Sequence, residues 1–158
     1  MFYFLLVYLV LVLIRPQDYP AVAESPGPPL QSIALVLAAG LWLFSQRKSF
    51  NQPQYLLIPA FLLVAMVSKV VNGWAGGALF VFFVFAPVLL AYVLLANAVD
   101  TRARLQAAMG VFVICASVLA VHGIEQASTG IGWTGVELSH GTRIQYVGIF
   151  NDPNDLGM

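Results

Sequence analysis

The chain has 158 residues, of which 60% are hydrophobic and 9% are charged, whereas soluble domains contain roughly 45 to 50% apolar and about 25% charged residues. This composition excludes an ordinary soluble domain and predicts an integral membrane protein. Seven lysines and arginines balance seven acidic residues, and there is one cysteine. Neither nucleic-acid binding nor a polybasic attachment to lipid is therefore favoured, and an internal disulfide is excluded.

Five apolar runs separated by polar residues predict an all-α, polytopic fold that forms a single transmembrane domain over residues 1–158. The predicted helices cover residues 1–14, 30–45, 55–71, 77–96 and 105–124. The first run is the weakest span, because as a helix it would rise only about 21 Å against a hydrocarbon thickness of roughly 30 Å. A cleaved signal peptide is the alternative for this run, since residues 21–23 read Ala-Val-Ala, although no Lys or Arg precedes the apolar residues.

Three residues inside the predicted helices have a special position. Pro59 falls in the first turns of the third helix, and Pro87 predicts a kink or local unwinding in the fourth. Lys69 lies close to the end of the third helix, where its ammonium group is expected to reach the lipid headgroups rather than to mark an ion pathway.

Basic residues in alternate loops predict the orientation. The second and fourth loops hold Arg47, Lys48, Arg102 and Arg104, whereas the other loops and the tail hold Arg15, Lys69 and Arg143. The positive-inside rule therefore favours a cytoplasmic amino terminus and cytoplasmic second and fourth loops. Five crossings would then put the segment after residue 124 on the outer face.

The end of the chain predicts an outer loop over residues 125–152 and the start of a sixth helix at residues 153–158. Asp152 suits the N-cap, Pro153 the first helical position, and Asp155 the first turn, where negative charge is favourable. Because this helix has few residues, we expect it to be truncated and the chain to be the amino-terminal part of a longer protein.

Candidate chemistry on the outer face is limited to a few residues. None of the common metal, phosphate-loop or nucleophile motifs is present, and two isolated histidines, His122 and His140, do not supply a metal site. We expect no metal and no cofactor, and a packed or interfacial role for His122. Arg143 is different, because a guanidinium close to a helix start can bind phosphate through its planar fork. The alternative, an arginine that anchors a loop to headgroups, stays equally open on this evidence.

Two short motifs carry a family resemblance. The stretch from Arg143 through Gly148-Ile149-Phe150-Asn151-Asp152-Pro153-Asn154-Asp155-Leu156 resembles the R-x-x-G-x-F-x-x-P-N-x-[LF]-[AG] motif of the bacterial O-antigen ligase and polymerase superfamily, with a longer spacing between the arginine and the glycine. Residues 15–19, Arg-Pro-Gln-Asp-Tyr, are similar to a segment of ligase-like members associated with exopolysaccharide or exosortase systems.

The resemblance implies a multi-pass glycosyltransferase of the bacterial inner membrane. Such an enzyme would transfer a glycan from undecaprenyl pyrophosphate to a glycan, lipid or protein acceptor on the periplasmic side, without a metal or other cofactor. It implies that Arg143 holds the donor pyrophosphate and that Gly148 and Asn154 shape the turn and complete the substrate-binding set. The catalytic acid and base are not identified, and the 158-residue chain alone is expected to be inactive.

Two other functions remain open at this point. A transporter or flippase for a polar or lipid-linked solute would use Pro59 and Pro87 to break helices, but predicted helices three to five contain no acidic residue for ion coupling. A non-catalytic membrane assembly subunit is also compatible with the first 140 residues.

Overall fold

The computed structural model describes residues 1–24, 27–45, 48, 50 and 52–156, with side chains up to Asn154. Arg47 and residues 157–158, which the predictions above include, lie outside the described residues, as does the side chain of Asp155. The helices are α1 Phe2–Ile14, α2 Pro20–Ala23, α3 Leu30–Leu43, α4 Gln54–Val71, α5 Ala75–Ala98, α6 Arg102–Thr129 and α7 Pro153–Leu156. Short 3-10 turns cover Pro16–Asp18 and Gly148–Phe150. All five predicted helices are present, so the all-α prediction is confirmed for the described part of the chain.

The number of helices able to cross a membrane differs from the prediction. Among the described residues, three helices, α4, α5 and α6, are long and apolar enough to do so. Helices α1 and α3 have 13 and 14 residues, or about 20 Å of helix, which is well short of the roughly 30 Å hydrocarbon layer. The prediction of five spans is therefore wrong in number, because it counted apolar runs without requiring full membrane length.

Helix α6 extends beyond the predicted end at Ile124 and takes Glu125 into its last turns. The helix continues because the polar residues after Ile124 still form the backbone hydrogen bonds of an α-helix, although they end the apolar run. It stops at Gly130, which has φ +86 and donates its N-H to the carbonyl of Gln126 at 2.9 Å, a left-handed ending that glycine adopts without a Cβ penalty. At the other end Thr101 Oγ1 accepts the Arg104 N-H at 3.3 Å and so caps the first turn of α6. The outer loop thus begins five residues later than predicted, at residue 130.

The chain divides into two compact units, residues 1–5 with 35–104 and residues 6–34 with 105–158. In the first unit α4 and α5 form a hairpin in which Asn97 Nδ2 donates to the Tyr55 hydroxyl at 3.0 Å. Both helices stay α-helical through their prolines, so the unwinding predicted at Pro87 does not occur. Lys69 Nζ lies 5.5 Å from the centre of the Trp74 ring, which is a cation-π distance.

Helices α4 and α5 expose large apolar side chains. No residue of α4 is buried within the chain, and Leu56 and Phe83 are 75% and 71% exposed. Apolar surface of this extent needs a lipid or protein neighbour. The three long helices and this surface together fit a membrane protein.

Candidate functional site

A polar cleft lies in the loop that follows α6, within the second unit. Its volume is about 470 Å³. It is lined by Ser139, His140, Arg143, Gln145, Asn151, Asp152, Pro153 and Asn154. Two stretches therefore form it, which we call the hairpin wall (residues 139–145) and the amide wall (residues 151–154). Arg143 and Asn154, both predicted to bind substrate, line the same cleft, while Gly148 lies outside its lining.

The hairpin wall is a tight turn that presents Arg143. The N-H of Ser139 donates to the Arg143 carbonyl at 2.8 Å, and the N-H of Arg143 donates back at 3.0 Å. His140 and Gly141 adopt positive φ values of 51° and 72° to close the turn. The Arg143 side chain is exposed, and its guanidinium has no ion pair or hydrogen bond within the described residues. It is therefore available to an anion.

A buried glutamine of α6 fixes the hairpin wall. Gln126 is fully buried, and its Nε2 donates to the carbonyls of Val136 and Glu137 at 2.9 and 3.2 Å. Its Oε1 accepts the backbone N-H of Gln145 at 2.8 Å. One side chain thus satisfies three backbone groups of the loop, which would otherwise be costly to bury.

The amide wall begins the short helix α7. Asp152 Oδ1 accepts the N-H of Asn154 at 2.8 Å, and Pro153 is the first helical residue, so two of the three predicted start signals, the N-cap and the first helical position, are confirmed. The Asp152 carboxylate already faces the amino end of the helix and offsets its partial positive charge. An anion in the cleft would accordingly depend on the Arg143 guanidinium and side-chain amides more than on that helix end.

The two motifs that carry the family resemblance meet in this unit. Gly148 has φ +67 in the 3-10 turn, and a Cβ at this position would overlap the Cδ of Arg15 and lie within 2.8 Å of its Nη1. The Tyr19 hydroxyl is hydrogen-bonded to the Tyr146 hydroxyl at 2.7 Å, with the two rings edge to face at 6.2 Å. Burial, together with this hydrogen bond, raises the pKa of Tyr146, so its phenol stays protonated. Spacing along the chain offered no signal for these contacts.

His122 has a packing role, as expected. Its ring is fully buried and lies edge to face with Trp133 and Tyr146 at 4.9 and 4.8 Å. Nε2 is 2.9 Å from the Thr134 hydroxyl, and a side chain at Gly132 would overlap the imidazole. The second histidine, His140, instead lines the cleft.

No known protein family, curated protein or solved structure matches this chain. The cleft has to be interpreted from its own geometry.

Proposed function

We propose that the chain is part of a membrane glycosyltransferase of the ligase or polymerase type. It takes a glycan from undecaprenyl pyrophosphate and transfers it to a glycan, lipid or protein acceptor on the periplasmic side of a bacterial inner membrane. The observation that carries the proposal is the Arg143 guanidinium, which has no partner among the described residues and lies in a polar cleft lined by amides, after the last of the three long apolar helices found in that part of the chain. A lipid-linked diphosphate needs this combination, since its carrier stays in the bilayer while its charge lies at the surface.

The role of Arg143 is to hold charge. In transfer of the glycan the bond to the pyrophosphate breaks, and negative charge develops on the leaving oxygen. A guanidinium that contacts this oxygen as the charge develops would stabilise the transition state more than the ground state, which accelerates the step. Asn151 and Asn154 on the opposite wall offer neutral N-H donors to the remaining phosphate oxygens. Asp152, engaged at the start of α7, keeps the cleft from being uniformly cationic.

The proposed sidedness does not depend on α1 and α3. The chain enters α4 after Pro53 and leaves α5 at Val99, so two crossings bring it back to the side from which it started. A third crossing, α6, takes residues 130–156 to the other. With Lys48, Arg102 and Arg104 on the cytoplasmic side, the positive-inside rule puts the cleft outside. The amino terminus is cytoplasmic when α1 and α3 both cross or both stay on that side.

The transporter alternative has lost its main support. It required helices broken at Pro59 and Pro87, and both helices are continuous there. The one acidic residue of the three long helices, Glu125, accepts the N-H of Trp133 at 3.1 Å through its carboxylate, at the loop end of α6. It does not mark an ion path through a helix.

The test compares substitutions of Arg143 in glycan transfer from a purified polyprenyl-pyrophosphate donor, made in the full-length protein because the 158-residue chain alone is expected to be inactive. Arg143→Ala should lower turnover roughly tenfold to a hundredfold or more, since each lost charge-assisted hydrogen bond is worth about 1.5 to 3 kcal/mol. Arg143→Lys should be almost as poor, because Lys keeps the charge and loses the two-pronged contact. Arg102→Ala, which removes an exposed arginine at the other end of α6, is the matched control. Wild-type transfer by Arg143→Ala would refute the proposal and leave the headgroup anchor or the assembly subunit.

A further inference from the structure

The first observation concerns residues 15–20, which we call the amino-terminal clasp. Arg15 has φ 48 and ψ 54, a left-handed conformation that is unfavourable for a residue with a long side chain. Its Nε lies 3.1 Å from Oδ2 of Asp18, without the alignment of a hydrogen bond, so this buried N-H has no acceptor among the described residues. A strained and partly unsatisfied residue persists only where its surroundings hold it in place.

The second observation is that Gly148 is the residue against which the Arg15 side chain packs. The Cδ of Arg15 lies directly on the backbone of Gly148, leaving no space for a Cβ there. Gly148 begins the 3-10 turn that leads into the amide wall, and its carbonyl accepts the N-H of Asn151 at 3.3 Å. Four residues beyond Arg15, the Tyr19 hydroxyl bonds to Tyr146 at 2.7 Å. The clasp therefore contacts the chain on the segment that enters the amide wall.

The third observation is that the hydrogen bonds of Gln126 reach the hairpin wall of the cleft and not the amide wall. The hairpin wall is held from α6 by Gln126, which bonds to Gln145 and to the carbonyls before it. Gln126 makes no hydrogen bond to residues 148–154. On that side, the side-chain contact observed at the start of the turn is Arg15 on Gly148.

We propose that Arg15 is a positioning residue that sets the distance between the amide wall and Arg143. It acts through Gly148 and does not itself line the cleft. The anion bound between the walls rests on the proposed function, but the positioning of the amide wall does not. Glycine at 148 follows from the same contact, because any side chain there would displace Arg15.

The conformational test uses the whole chain in lipid nanodiscs, with the native cysteine removed as Cys115→Ala. A nitroxide at Asn151→Cys reports on the amide wall, and one at Thr142→Cys, also exposed, reports on the hairpin wall. Arg15→Ala should increase the mobility of the first label and leave the second unchanged. Arg15→Lys keeps a carbon at the Cδ position and a positive charge, so it should restore wild-type mobility. An unchanged label at 151, or an equal increase at both positions, would overturn the proposal.

A second variant covers the case in which Arg15→Ala fails to fold. Gly148→Ala should mobilise the label at 151 as well, because the new methyl group must displace Arg15. Where Arg15→Ala does fold, adding it to Gly148→Ala removes the overlap, and the combined effect should be smaller than the sum of the two. Strict additivity would show that Arg15 and Gly148 act independently and would refute the coupling.

A measurement of ligand binding distinguishes the positioning role of Arg15 from the proposed function. Inorganic pyrophosphate is the probe, titrated against the chain by calorimetry. Arg15→Ala should weaken its binding roughly tenfold, which corresponds to about 1.4 kcal/mol, whereas Arg143→Ala should abolish it. If wild-type chain binds no pyrophosphate while the label at 151 still responds to Arg15→Ala, the proposed ligand fails and the positioning role stands. If pyrophosphate binds wild-type and Arg15→Ala chains equally, the positioning role of Arg15 is refuted, whereas the proposed binding of a diphosphate is supported.

Discussion

Replacing Gln126 with methionine tests how strongly the hydrogen bonds of this side chain stabilise the hairpin wall. Methionine keeps the length of the side chain and removes its three hydrogen bonds. The consequences for the three backbone groups differ. The Val136 carbonyl retains the N-H of Gly132 at 3.1 Å, and the Glu137 carbonyl retains the side chain of Gln145 at 2.9 Å. The backbone N-H of Gln145 has no second partner among the described residues, so the substitution leaves it unsatisfied there.

The expected loss of loop stability follows from the number of backbone groups that keep a hydrogen-bond partner. Loss of its partner costs the part-buried N-H of Gln145 about 1 to 3 kcal/mol, and the two carbonyls that keep a partner together lose about 1 kcal/mol. The free energy of opening the loop should fall by roughly 2 to 4 kcal/mol. Amide exchange through that opening would then be roughly thirtyfold to a thousandfold faster.

Hydrogen-deuterium exchange of the chain in nanodiscs, followed on peptides covering residues 136–146, measures this change. Residues 108–120 in the middle of α6 should exchange as in wild type and serve as an internal reference. Gln106→Met replaces an exposed glutamine of the same helix and is the matched control. Less than a threefold acceleration in Gln126→Met would show that the loop is held by other contacts and that Gln126 is merely enclosed by it.

Two further results are expected. Tyr146→Phe and Tyr19→Phe should each lower the free energy of unfolding of the loop by about 1 to 3 kcal/mol, because each leaves one hydroxyl of the 2.7 Å pair without its partner. In thermal unfolding, the double variant should lose clearly less stability than the sum of the two single variants. Additive losses would contradict the pairing. In a Cys115→Ala background, a membrane-impermeant thiol reagent added outside should label Ser128→Cys and not Lys48→Cys, both at exposed positions; the reverse pattern would invert the proposed topology.

Hydropathy was sufficient to locate the helices and insufficient to determine their ends. The apolar stretch that became α6 stops at Ile124, but the backbone bonds continue until Gly130 because helix formation does not depend on side-chain polarity alone. The start of α7 was predictable, since Asp152 and Pro153 act through local geometry. The predicted number of spans was wrong at α1 and α3, because helices of 13 and 14 residues are shorter than the hydrocarbon layer although their side chains are apolar.

The cleft was only partly predictable, for a related reason. Arg143 and Asn154 were found by a motif of neighbouring residues, and both line it. The residues that hold it together were not found, because their partners lie far along the chain. Gln126 bonds to a residue 19 positions later, and Tyr19 to one 127 positions later. A single sequence contains no periodicity that links such pairs.

The 127-residue separation of Tyr19 and Tyr146 has a consequence for biosynthesis. Chains are made at about 5 to 20 residues per second, so the amino-terminal clasp emerges roughly 6 to 25 s before the segment that it will contact. During this interval Arg15 lacks the glycine surface against which its side chain packs, and the hydroxyl of Tyr19 has only water or lipid headgroups as partners. The intervening helices, including the α4–α5 hairpin with its local contacts, can insert meanwhile. Closure of the clasp is thus expected to follow the insertion of the helices that lie between Tyr19 and Tyr146.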